Sequence, residues 1–165
     1  PELPISTDRT VHGDPKISNV VFNEITDGAI CLVDLDTIAS MPIILELGDA
    51  FRSWCNPQGE DNKDASFSVP FFRAAVTGYA REAWDFLAEE EWQALPAAAL
   101  TITVELAARF AADALVERHF GWDSKRYGTA SEHNQVRAES QVSLAQSIRA
   151  QWSAMEDIVA ARIGS

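Results

Sequence analysis

Cysteine is nearly missing from this sequence, which holds only Cys31 and Cys55, and histidine is scarce, with three residues. Neither cysteine sits in a C-x-x-C or Cys/His spacing, so nothing points to a zinc site or a dithiol redox motif. Both are expected to be buried free thiols. Cations are also outnumbered: 13 Lys and Arg face 25 Asp and Glu, for a net charge of -12. Phosphate backbones and anionic lipid surfaces need clustered Lys and Arg, so neither a nucleic-acid nor a membrane partner is expected. No uninterrupted apolar run reaches the about 18 residues that would span a bilayer. The opening Pro-Glu-Leu-Pro has neither the basic nor the apolar region of a signal peptide, and a cytoplasmic location is the expectation. Internal repeats and low-complexity tracts are likewise missing.

What is present is ordinary globular material, 47% hydrophobic and 23% charged over 165 residues, enough for one domain with a single core. Gly13 and Pro15 oppose a helix between Val11 and Asn19, so that stretch reads as a loop. Val20–Asn23 and Ala29–Asp34 are short apolar and β-branched runs separated by an Asp-Gly turn signal, which predicts a hairpin. Pro42 suits a first helical turn, and Ile43, Ile44, Leu47, Phe51 and Trp54 recur at helical spacing, predicting a helix to about Cys55. A polar surface loop over 56–64, a helix capped by Ser68, a short amphipathic segment over 89–95 and a long apolar helix from Pro96 to Phe120 follow. One long helix over 132–163 closes the chain. The expected fold is mainly α with a small β-hairpin, divided into a loop-and-hairpin region, 1–40, and a helical region, 41–165.

Chemistry concentrates in His12-Gly-Asp-Pro-Lys-Ile-Ser-Asn19 and in Asp34-Leu-Asp36, which begins fifteen residues after Asn19. Phosphoryl transfer needs a carboxylate for the acceptor hydroxyl, hard oxygens for a divalent cation, and a cation near the transferred group. Asp14, Asn19 with Asp34, and Lys16 supply these residue types in that order.

The first segment resembles the protein-kinase catalytic loop H-R-D-x-K-x-x-N with Gly13 in place of Arg, and Asp34 falls where the D-F-G aspartate would. Its His-Gly-Asp form is more similar to the aminoglycoside phosphotransferase and choline kinase superfamily. Within that superfamily, Val33-Asp-Leu-Asp-Thr37 and Leu47-Gly-Asp-Ala-Phe-Arg52 look most like the N-acetylhexosamine kinase-like branch. The resemblance implies ATP and Mg2+ as cofactors and a small-molecule hydroxyl as phosphate acceptor, with a sugar such as an N-acetylhexosamine favoured. It makes Asp14 the catalytic base, Lys16 a contact to the nucleotide phosphate, and Asn19 and Asp34 the metal ligands. His12 would hold the loop from a buried position, and Asp49 would support the loop backbone. Two readings of Asp36 stand: a second metal or substrate ligand, or a cap for the following turn. Arg52 is a candidate for the acceptor pocket, whereas Trp54 reads as core.

Glu105, Arg109 and Asp113 are spaced by four and should stack on one face of the long helix, as a structural ion ladder or, through Glu105 and Arg109, as acceptor contacts. The resemblance also implies that this chain is the C-terminal lobe of a kinase-like protein, poorly active alone, whose partner would be an N-terminal lobe covering the nucleotide. Aminoglycoside or choline-type kinases are the alternative within the class, favoured by an acidic cleft; a non-catalytic binding lobe is the alternative outside it.

Overall fold

The computed structural model describes residues 2–162. Four short strands precede six helices: β1 (Asp8–Val11), β2 (Val20–Phe22), β3 (Ala29–Leu32), β4 (Ala39–Pro42), α1 (Ile43–Trp54), α2 (Val69–Ala83), α3 (Glu89–Gln93), α4 (Leu95–Val116), α5 (Ala130–Ala150) and α6 (Trp152–Ala161). The β2–β3 hairpin forms as the Asp-Gly signal predicts, with Val20 opposite Leu32 and Asp27 in the left-handed region at φ 54°. A second antiparallel pair was not expected: β1 pairs with β4, Asp8 opposite Pro42 and Val11 opposite Ala39. Each of these strands has only four residues, and Asp-Arg-Thr-Val carries too little apolar alternation to announce a strand.

Helix α1 is the organising element. It buries Ile43, Ile44, Leu47 and Phe51 in a core shared with Phe72 and Val76 of α2, Leu95 and Ala98 of α4, Leu144 and Ile148 of α5, and Met155 of α6. Gly48 permits the crossing of α1 and α4, because a Cβ there would lie 2.7 Å from the Ala98 carbonyl oxygen. Two helix ends differ from expectation. Helix α4 stops at Val116, short of Phe120, because the buried Asp113 carboxylate accepts the backbone N–H groups of Arg118, His119 and Phe120, each at 2.9 Å. Asp113 therefore leaves the expected Glu105–Arg109–Asp113 ladder and terminates the helix. The closing helix is in fact two, broken at Gln151, whose side-chain amide donates to the Phe67 carbonyl at 2.8 Å. Neither cysteine pairs; Cys55 is buried as expected, but Cys31 is exposed on β3.

Among the described residues, no helix is long and apolar enough to cross a membrane.

Candidate active site

The loop over 12–19 is held at both of its flanks. Gly13 has φ 85°, and a Cβ on it would sit 2.2 Å from the Thr37 carbonyl oxygen, so no other residue fits between the two segments. The buried His12 ring joins them: Nε2 lies 2.8 Å from the Val33 carbonyl, which takes the Nε2–H, and Nδ1 accepts the backbone N–H of Asp14 at 3.3 Å. The Thr37 hydroxyl donates to the His12 carbonyl at 2.8 Å, and the Val33 N–H to the Asn19 carbonyl at 3.0 Å. The loop bearing Asp14 and the strand end bearing Asp34 are thereby fastened together.

Helix α1 clamps the loop from the other side. Glu46 accepts the backbone N–H groups of His12 and Gly13, both at 3.0 Å; the Ser53 hydroxyl accepts that of Ile17 at 3.1 Å; and the Trp54 indole donates to the Pro15 carbonyl at 2.7 Å. The backbone support expected of Asp49 therefore comes from Glu46, one turn earlier. Asp49 is paired with Arg52 at 2.7 Å. Both carboxylates lie on the first two-thirds of α1, and residue type alone did not tell them apart; Ser53 gave no signal at all.

Asp14 has one carboxylate oxygen engaged and one free. Oδ2 receives the Lys16 ammonium at 2.5 Å and the Asn19 amide at 3.2 Å, while Oδ1 has no hydrogen-bond partner among the described residues. Asn19 is buried and spends its Nδ2 on the carbonyl and carboxylate of Asp14, which leaves its own oxygen unbonded. Asp34 is exposed, sits in the left-handed region at φ 66°, and makes no side-chain cap bond to the 3-10 turn Leu35–Thr37 that it opens. The unbonded Asn19 oxygen and the exposed Asp34 carboxylate are hard donors of the kind Mg2+ takes, one or two from the protein with water and phosphate completing its shell.

A cleft of about 780 Å³ opens beside this loop. Gly13, Asp14 and Lys16 line it from the loop, Glu46, Asp49 and Arg52 from α1, Glu105, Arg109 and Phe110 from α4, and Phe120, Gly121 and Arg137 beyond. Of the expected site residues, Asp14, Lys16, Asp49, Arg52, Glu105 and Arg109 are thus brought together, whereas Asn19, Asp34 and the exposed Asp36 lie outside its lining. Arg52, expected to meet the acceptor, is buried between Asp49 and Glu60, at 2.7 and 2.6 Å. Burial alone would lower its pKa, but the two carboxylates outweigh this and raise it. Trp54 packs edge-on against Phe51 and does not line the cleft. Arg137, Phe110 and Phe120 were not anticipated; an aromatic or arginine in a helical pattern reads as core or solvated face until its neighbours are known.

The 56–64 loop is anchored along its length. Glu60 holds Arg52, and Asp61 binds the buried His133 at 2.7 Å and Arg126 at 2.7 Å. Burial pushes the Asp61 carboxyl up, but His133 and the two arginines Arg137 and Arg126 hold it below its ordinary value.

A family model described as the phosphotransferase enzyme family, APH, matches residues 1–126. The chain belongs to this phosphotransferase family. Membership accords with the superfamily resemblance of the His12–Asn19 segment, with the mainly helical fold, and with a kinase-like enzyme activity in general terms. The match runs from the strands through α4 and its C-terminal connection, so it spans the loop, the hairpin and three walls of the cleft.

Proposed function

We propose that this phosphotransferase domain transfers the γ-phosphoryl group of ATP to a hydroxyl of a sugar-like small molecule, with an N-acetylhexosamine as the favoured acceptor. The observation that carries this reading is the half-engaged Asp14 carboxylate on the cleft wall: Oδ2 is fixed by Lys16 and Asn19, and Oδ1 is left to take the acceptor hydroxyl. In this role Asp14 orients the hydroxyl and receives its proton as the new P–O bond forms. Lys16, already within reach of Asp14, faces the charge developing on the transferred group. Asn19 and Asp34 would hold Mg2+, which when bound neutralises phosphate charge. Asp36 makes no side-chain hydrogen bond among the described residues and stands exposed in the turn that Asp34 opens, available to a second ion.

The charge of the cleft favours a neutral acceptor. Five carboxylates, Asp14, Glu46, Asp49, Glu60 and Glu105, line it with four cations, Lys16, Arg52, Arg109 and Arg137. An aminoglycoside or choline-type substrate would favour a clustered acidic wall, and here the acids are largely matched by internal partners. Apolar side chains exposed on and after the β2–β3 hairpin, among them Val21, Phe22, Ile30, Leu32 and Leu35, support a nucleotide-covering N-terminal lobe resting on that face.

An ADP-release assay on the full-length protein, nucleotide-covering lobe included, with Mg-ATP and a panel of N-acetylated hexosamines, neutral sugars, aminoglycosides and choline tests the reading. Turnover of an N-acetylhexosamine, lost by about 10²–10⁴-fold in Asp14→Ala, is the expected result. Activity retained by Asp14→Ala, or turnover confined to the cationic acceptors, would overturn the assignment of base or of acceptor respectively.

A further inference from the structure

The four cations of the cleft differ in what they have left to donate. Lys16 is engaged by Asp14, and Arg52 by Asp49 and Glu60. Arg109 and Arg137 are not so consumed. Arg109 makes no hydrogen bond among the described residues; its Nε lies 3.7 Å from Glu105, and more than half of its side chain is exposed. Arg137 donates Nη1 to the Gly121 carbonyl at 2.8 Å and to Asn134 Oδ1 at 3.4 Å, its buried Nε faces the Asp61 carboxylate at 3.6 Å, and its Nη2 makes no hydrogen bond among the described residues.

Both guanidinium groups lie over aromatic rings. Arg109 is over Phe120 at 5.3 Å and Arg137 over Phe110 at 5.4 Å, and the two rings tilt against one another with centroids 4.5 Å apart. Stacking of this kind fixes the plane of each guanidinium. The result is an apolar floor with unspent donors on either side, on the α4–α5 wall of the cleft that Asp14 lines from the loop.

We infer that Arg109, Phe110, Phe120 and Arg137 form a specificity subsite for a planar, oxygen-terminated substituent of the acceptor, an amide carbonyl or a carboxylate. This rests on the phosphotransferase reading of the same cleft. The guanidinium groups bind the substituent's oxygen, the rings border its apolar part, and Glu105 beside Arg109 accepts an amide N–H where the substituent carries one. An acceptor without such a group leaves the donors unpaired and binds more weakly.

Ligand-observed NMR titration of the protein with N-acetylglucosamine, glucuronate and glucose separates the sources and needs no turnover. Either of the first two should bind at least about tenfold more tightly than glucose, and Arg109→Met should remove that preference. Arg109 makes no hydrogen bond among the described residues and is more than half exposed, and a Met side chain still covers the Phe120 ring, so Arg109→Met should keep the parent's Tm; Arg137→Lys, which retains a cation for Gly121, should weaken the same preference. Equal affinity for all three sugars, no binding of any of them, or a preference that survives both variants would overturn the subsite. ADP release measured in parallel keeps the two readings apart: turnover with no such preference removes the subsite and leaves the phosphotransferase.

Discussion

Single residues here are constrained by contacts that their identities do not advertise. Gly13→Ala places a methyl against the Thr37 carbonyl at a positive φ, and should cost on the order of 1–3 kcal/mol in urea unfolding together with most of the phosphotransfer rate. A variant as stable and active as the parent would show that the loop relaxes freely. The two thiols should separate cleanly. Burial pushes Cys55 up to about 12 from 9.0, whereas Cys31 is exposed. Ellman's reagent at pH 8 should therefore titrate one thiol in the native protein and both in denaturant; rapid labelling of Cys55 in the native state would contradict its position in the core. Asp113 supplies a pH dependence. Burial alone would raise its pKa, but the backbone N–H groups of Arg118, Phe120 and His119 and the nearby His119 bring it below the ordinary 3.8. A carboxylate depressed in the folded state stabilises fully above pH 3.8, and that stabilisation is lost as the pH falls through the folded value. Asp113→Asn should thus lower Tm at neutral pH, with the gap to the parent narrowing below pH 3.8 in calorimetric scans.

At the scale of elements, α1 decides whether the His12–Asn19 loop is rigid. Glu46→Ala leaves two backbone N–H groups without their acceptor and should cost about 1–3 kcal/mol in denaturant unfolding, whereas Trp54→Phe removes one indole bond and about 1 kcal/mol. Unchanged stability in both would mean that the loop holds its shape without the helix. The sequence made much of this legible. The hairpin and the start of α1 followed from an Asp-Gly turn and from Pro42, signals that are local and have few alternatives. The Ser68 cap did as well: its hydroxyl accepts the Phe71 N–H at 3.3 Å. What escaped was set by distant partners. The break at Gln151 has no proline or glycine to mark it, and comes with a bond to Phe67 some eighty residues away. The early end of α4 depends on a buried aspartate folding back on three N–H groups, which looks in sequence like one rung of a charge ladder. The same holds for the cleft: Asp14, Lys16 and Asn19 lie within six residues of one another and were singled out by their resemblance to a known loop, while Glu46 and Arg137 meet it only through packing of α1 and α5.

Across the described residues, exposed apolar side chains crowd most densely on and around the β2–β3 hairpin. The helical part holds the core and exposes scattered apolar side chains such as Trp84 and Leu115, whereas the hairpin and the segment after it display Val21, Phe22, Ile30, Leu32, Val33, Leu35 and Ile38 close together in sequence. Such a patch supports the proposal of a further lobe resting on the hairpin. Exposed to an apolar dye such as ANS, the protein should give a fluorescence enhancement that falls in Phe22→Ser and Ile30→Ser; equal enhancement in all three would place the dye elsewhere. Cys31 lies in the middle of this patch, opposite Val21 in the hairpin. Because the other thiol is sealed in the core, a maleimide dye or nitroxide would attach at this one position without any substitution. Its emission or linewidth would then report whatever settles on the hairpin, so the fold carries its own reporter site next to the strand end that bears Asp34.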